Sequence, residues 1–193
     1  MLDKNYWDTR YNEKDTSWDI GYISGPLKGY VDGLKDKNIS ILIPGCGNAY
    51  EAEYLLQQGF TNVTLIDISP FPVENVRTKL GQFVGKQLHL ICGDFFELDK
   101  KFDLILEQTF FCALDPSLRE NYVNKMSDLL NENGRLAGVL FNRAFEGGPP
   151  FGGTKEEYGK LFSGKFQIHK MEACYNSIER RAGTELFIEL IKR

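Results

Sequence analysis

The chain has 193 residues, 42% of them hydrophobic and 26% charged, with a formal net charge of −4 at pH 7. That length and balance describe one globular domain with a sizeable core. The small negative charge, with lysines and arginines scattered, argues against a nucleic-acid surface, and no basic amphipathic run marks a membrane-surface helix. The stretch Met1-Leu-Asp-Lys-Asn-Tyr-Trp-Asp-Thr-Arg10 is charged too early for a signal peptide, and no apolar run reaches the ~20 residues of a membrane span. Cys46, Cys92, Cys112 and Cys174 form no C-x-x-C pair and read as buried free thiols of a reducing compartment, so the cytoplasm is the expected location. With only His89 and His169, each beside a strand-like stretch, neither a metal site nor a histidine-based triad is expected.

In chain order, residues 1–35 read as a helical N-terminal lid and residues 36–193 as the core of a single domain. Residues 39–44 are a short apolar run ended by Gly-Cys-Gly, a buried strand, followed by a helix over 50–58 closed by Gly59. Residues 63–67 are a second strand. Ser69 and the prolines at 70 and 72 mark a helix start, with Val73, Val76, Leu80 and Phe83 at helical spacing behind them. Residues 87–92 and 102–107 are strands three and four. Asp115-Pro116 signals a helix cap before the stripe Leu118, Tyr122, Met126 and Leu129. Glu132-Asn-Gly134 reads as a turn before a fifth strand over 135–141. Gly147 to Gly153 can only be loop, and residues 166–173 and 185–191 read as a final hairpin. Alternating strands and helices make this an α/β fold of Rossmann-like type: a mostly parallel twisted sheet, helices on both faces, and a C-terminal antiparallel hairpin at one edge. No exposed apolar stripe is left over, so a monomer is expected.

Strand one runs into Gly45-Cys-Gly47 and then a helix; glycines there let a backbone approach a ligand where a Cβ would clash. Asp67 ends the next strand, 22 residues after Gly45, where a carboxylate can accept hydrogen bonds from both ribose hydroxyls of an adenosine. Tyr50 occupies the third position of the dinucleotide fingerprint, where NAD needs Gly or Ala; S-adenosylmethionine carries no pyrophosphate and makes no such demand. Asp94 and Phe95, after strand three, suit the amino group and face of an adenine.

Five stretches taken together resemble the thiopurine methyltransferase superfamily, and most closely its halide and thiol methyltransferase branch. They are Trp7-Asp-Thr-Arg-Tyr11 leading to Thr16-Ser-Trp18-Asp-Ile-Gly21; Ile43-Pro-Gly-Cys-Gly47; Gly93-Asp-Phe-Phe96; Phe102-Asp-Leu-Ile105 with Thr109-Phe-Phe-Cys-Ala113 and residues 116–119; and Gly147-Gly-Pro-Pro150. The resemblance implies a class I methyltransferase fold with S-adenosylmethionine as cofactor and S-adenosylhomocysteine as product. It implies cofactor contacts from Trp7, Tyr11 and Trp18 in the lid and from Gly45, Asp67, Asp94, Phe95 and Gln108 in the core, to which the glycine turn adds Gly47. Tyr11 stands where that branch usually has Trp, Gln108 where it has Tyr, and Phe151 where Tyr is common.

Methyl transfer to a small soft nucleophile (thiol, sulfide or halide) asks the protein for position and desolvation rather than a strong base, since a thiol of pKa about 8.5 is already reactive when ionised. No catalytic acid or base is therefore expected. Aromatic faces suit a sulfonium cation. Phe110, Phe111 and Phe151 are the expected acceptor-binding residues. Arg119 reads as a surface ion-pair partner and Arg180-Arg181 as a solvated turn. Three rivals are a methyltransferase acting on nitrogen, oxygen or carboxylate, a NAD-dependent oxidoreductase, and a cofactor-binding regulator.

Overall fold

The computed structural model describes residues 2–193. Seven strands form one sheet: β1 (Ile41–Pro44), β2 (Val63–Asp67), β3 (Leu88–Cys92), β4 (Phe102–Gln108), β5 (Leu130–Phe141), β6 (Phe166–Ala173) and β7 (Glu185–Lys192). Their order is β3-β2-β1-β4-β5-β7-β6. The first five strands pair in parallel, and β7 lies antiparallel between β5 and β6. Every residue of β1 and β2 is buried, as expected of central parallel strands covered on both faces.

Helices α2 (Gly25–Asp32), α3 (Tyr50–Gln57) and α4 (Pro70–Lys79) cover one face. There Leu27, Val31, Leu55 and Val76 pack on Ile41, Ile43, Leu104 and Leu106. Helices α5 (Arg119–Leu129) and α6 (Lys155–Ser163) cover the other, where Tyr122, Met126 and Phe162 pack on Leu42, Ile105 and Leu136. The alternation of neighbours along β1 is the two-residue period of a strand sorted into two cores. α1 (Lys4–Asn12) contributes no buried residue, whereas Leu27 and Val31 of α2 are fully buried. The covering segment is thus shorter than residues 1–35: it ends before α2, which belongs to the core.

Three local expectations change. Asn133 adopts φ +60°, a conformation an asparagine tolerates, so residues 132–134 form an irregularity within β5 rather than a turn before it. Phe102 pairs with Leu130, and Leu104 already pairs with Arg135. The α4 helix stops at Lys79, four residues short of Phe83. A Cβ on Gly81 would lie 2.8 Å from the Arg77 carbonyl oxygen, so the chain leaves the helix where only glycine fits. Asp115 caps a short 3₁₀ turn over Pro116–Leu118 that leads into α5, accepting from the Ser117 amide at 2.9 Å.

Candidate active site

The strand order reverses direction between β1 and β4, and the crevice beyond their carboxyl ends is where open α/β sheets bind ligands. A cavity of about 580 Å³ opens there. Gly45 and Gly47, after β1, adopt φ +57° and +49°. A Cβ on Gly45 would lie 2.4 Å from Phe110 Cδ2, so the missing side chain makes room for that ring. Asp67, at the end of β2, accepts from the Gly47 amide at 3.1 Å and the Ser69 amide at 3.0 Å. Burial pushes its carboxyl up to about 6. Asp94 follows β3 and is exposed, with its Oδ1 accepting from the Phe96 amide at 2.8 Å. Phe95 is buried, edge-on to Phe110 with ring centroids 5.1 Å apart. Gln108 ends β4 and accepts from the Ser24 hydroxyl at 2.7 Å.

Over this floor lie Trp7 and Tyr11 of α1 and Trp18 of the following turn. Trp18 meets Trp7 and Tyr11 edge-on at 5.6 and 5.8 Å. Burial raises the Tyr11 phenol well above its ordinary range, so it is a neutral hydroxyl. Asp19 ties the segment to the start of α3, accepting from the Asn48 side-chain Nδ2 and, at 3.2 Å, from the Tyr50 hydroxyl. All nine cofactor residues expected from the sequence line the one cavity.

The acceptor expectations need correction. Phe110 lines the cavity; Phe111 and Phe151 do not. Phe111 is 1% exposed and packs among Tyr122, Tyr158 and Phe162, a core position. Phe151 is turned onto its own loop: a Cβ on Gly148 would lie 2.4 Å from its Cε1. The apolar far wall is instead built by Leu114, Leu118, Phe141, Phe145, Pro149 and Pro150. Phe141 and Phe145 had no distinguishing signal, being one strand end and one loop aromatic.

The arginines also differ from expectation. Arg119 forms no surface ion pair; it donates to the Gly152 carbonyl at 2.7 Å and lies over the Phe111 ring at 5.0 Å, fastening the 147–153 loop to α5. Arg181 is 8% exposed, not part of a solvated turn. It donates to the Trp18 carbonyl at 2.8 Å, and Arg180 donates to those of Ser17 and Asp19 at 3.3 and 3.4 Å. The C-terminal hairpin thereby holds the N-terminal segment. Among the thiols, Cys46 and Cys112 are buried and raised by that burial, while Cys92 is exposed, contrary to the expectation of burial. Among the described residues there is no cluster of metal-binding side chains, and no helix is long and apolar enough to cross a membrane.

Two further buried carboxyls were not picked out from the sequence. Glu51, in the first turn of α3, lines the cavity, and burial pushes it up to about 7. Glu107 is wholly buried beneath the end of β4 and is likewise raised to about 7.

Comparison with known proteins agrees with this geometry. The chain is 31% identical over 159 residues to probable thiol methyltransferase 2 of Arabidopsis thaliana, covering 80% of this chain and 70% of that one. It is 26% identical over 189 residues to thiocyanate methyltransferase 1 of Brassica oleracea, covering 95% and 83%. Among solved structures, a magnesium protoporphyrin IX methyltransferase from Synechocystis with bound S-adenosylhomocysteine superposes with a TM-score of 0.76 at 15% identity, covering 98% of each chain. A 1,6-didemethyltoxoflavin-N1-methyltransferase from Burkholderia thailandensis, also holding S-adenosylhomocysteine, gives 0.76 at 18% identity, covering 98% of this chain and 86% of that one. The model of the thiopurine S-methyltransferase family matches residues 2–189, so the chain belongs to that family and is an S-adenosylmethionine-dependent methyltransferase.

Proposed function

We propose that the chain methylates a small soft nucleophile, a thiol, sulfide or halide, by in-line displacement. The observation that carries this reading is the composition of the cavity wall. The cavity's carboxyls, Asp3, Asp19, Glu51, Asp67 and Asp94, all come from the part of the chain before Gln108, and the lining residues that follow Gln108 include no Asp, Glu or His. The one thiol among them, Cys112, is held neutral by burial. Such a wall positions and dehydrates an acceptor but does not take its proton, which suits a nucleophile that ionises by itself. An amine or hydroxyl acceptor would need a base that this wall lacks.

The residues present fit S-adenosylmethionine. Gly47 carries no Cβ, and one placed there would stand 3.4 Å from the Tyr11 hydroxyl. Asp67 retains lone pairs beyond its two backbone bonds for a ribose diol. When bound, the cofactor supplies the activated sulfonium methyl group. Asp67 would hold the ribose, Asp94 and Phe95 the adenine, and Trp7, Tyr11 and Trp18 would close over the cation. A desolvated cation–π contact of this kind reaches ~2 kcal/mol. Gln108 and Phe110 form the boundary between cofactor and acceptor. The free thiols fit a reducing compartment such as the cytoplasm, and the net charge of −4 fits a small-molecule acceptor rather than nucleic acid; a monomer is part of the same proposal.

The test is methyl transfer from labelled S-adenosylmethionine to iodide, bisulfide, small alkyl thiols, an aromatic thiol and a panel of amines. Turnover is expected with one or more soft nucleophiles and none of the amines; turnover confined to amines would contradict the proposal. Arg181→Ala is expected to release Trp18 and raise the Kd for S-adenosylhomocysteine about tenfold, the equivalent of one charged hydrogen bond at the low end of its range of ~1.5–3 kcal/mol. Titration followed by tryptophan fluorescence measures this.

A further inference from the structure

We propose that Glu107, which does not face the cavity, is the positioning residue that sets Gln108, Thr109 and Phe110 in the wall of the methyl-transfer site. The inference rests on the reading of that wall given above.

The Glu107 carboxylate is wholly buried and fully used. Its Oε1 accepts from two successive amides, those of Phe110 at 2.8 Å and Phe111 at 3.0 Å. Its Oε2 accepts from the Tyr122 hydroxyl of α5 at 2.6 Å. The two amides converge on one oxygen because Thr109 adopts φ +59°, which turns the chain back over the end of β4. A β-branched residue holds that conformation only where the surroundings enforce it. The glycine opposite lets β5 lie close against this point of β4: a Cβ on Gly138 would lie 2.4 Å from Glu107 Cβ and 2.5 Å from its carbonyl oxygen.

A buried carboxylate is costly in this position, and it is kept because three donors, the Phe110 and Phe111 amides and the Tyr122 hydroxyl, would lose their acceptor without it. What the acid provides is the path of the turn. That path seats the Phe110 ring in the space left by Gly45 and edge-on to Phe95, and it points Gln108 at Ser24. Gln108 and Phe110 line the cavity where cofactor and acceptor would meet, so an error of an ångström in the turn would fall on the reacting geometry.

The experiment compares the parent with Glu107→Gln, Glu107→Leu and Tyr122→Phe. It measures melting temperature, the Kd for S-adenosylhomocysteine by calorimetry, and kcat and KM with the fastest acceptor of the panel above. Glutamine keeps one oxygen for the two amides and an NH₂ toward Tyr122, so Glu107→Gln is expected within about threefold of the parent in kcat/KM. Glu107→Leu is expected to stay folded at the assay temperature yet lose at least 30-fold, mostly in kcat. Tyr122→Phe is expected to lose about threefold to tenfold in kcat, and it decides the matter should the leucine variant fail to fold. Parental rates in Tyr122→Phe or in a folded Glu107→Leu overturn the proposal, as does a glutamine variant as impaired as the leucine one. A parent that binds cofactor and turns over acceptor while the variants stay parental removes this inference alone; a parent inactive with every acceptor removes the functional reading and this inference with it.

Discussion

Asp67→Ala is expected to weaken S-adenosylmethionine binding about 100-fold or more. Two hydrogen bonds from ribose hydroxyls to a carboxylate contribute ~1.5–3 kcal/mol each, and every 1.4 kcal/mol is about a decade in Kd. Asp67 is 6% exposed, so water does not replace what is lost. The same residue gives cofactor affinity a pH dependence. Burial raises its carboxyl to about 6, and hydroxyl donors favour the ionised form, so affinity should fall as pH drops through about 6. Asp67→Asn is expected to be weaker throughout and flat across that interval. The opposite sign applies to the stability of the free protein. Glu51 and Glu107, near 7, and Asp67, near 6, are all raised by burial. Below their unfolded values, around 4, their full contribution to stability is present; it is lost as pH rises through the folded values. The melting temperature of the cofactor-free chain is therefore expected to decline between pH 5 and 7.5, while the rise induced by S-adenosylhomocysteine grows. Scanning calorimetry with and without that ligand measures both slopes.

Gly45→Ala is the second change of large expected effect. It places an L-residue at φ +57°, which costs ~1–2 kcal/mol by itself. The new methyl also meets Phe110 Cδ2 at 2.4 Å and Cγ at 3.0 Å. The ring has to yield, because the β1 backbone is fixed by pairing with β2 and β4. Phe110 would then leave its edge-on contact with Phe95 and intrude on the cavity. The expected result is a melting temperature lower by several degrees and S-adenosylhomocysteine binding weakened tenfold or more. Phe110→Ala removes the obstruction, so Gly45→Ala combined with Phe110→Ala should cost less stability than the sum of the two single changes. Additive costs would show that the clash is not the cause.

The floor of the cavity was legible in the sequence because its residues sit at ends of strands; Trp7, Tyr11 and Trp18, on α1 and the turn after it, were reached only through the family resemblance. A strand end has a fixed place in an open α/β sheet, so Gly45, Asp67 and Asp94 follow from the element order together with the spacing of the motifs, whereas Gln108 comes from the family resemblance alone. The acceptor half was less legible. Phe110 and Phe111 are adjacent and chemically identical, yet the positive φ at Thr109 sends one ring to the cavity and the other to the core. No periodicity encodes that choice. Arg181 was read as solvated because its role depends on the Trp18 carbonyl, 163 residues away in the chain. Glu107 resembled one more acid at a strand end; only tertiary structure brings Tyr122 beneath it. Boundaries shifted where a single residue tolerated an unusual backbone, as Asn133 did within β5 and Gly81 did after α4.

The central claim is that this site transfers a methyl group by placement and dehydration, with no protein group accepting the acceptor's proton. Its most direct test is the pH dependence of kcat/KM between pH 7.5 and 10, measured with iodide and with a series of thiols of different acidity. The raised values of Glu51, Asp67 and Glu107 fall below that range, so their ionisation touches only its lower edge and the thiols are compared above pH 8.5. The profile is expected to be flat for iodide and, for each thiol that is turned over, to show an apparent pKa equal to that thiol's own. One apparent pKa shared by all the thiols would contradict it, because it would belong to a base on the enzyme.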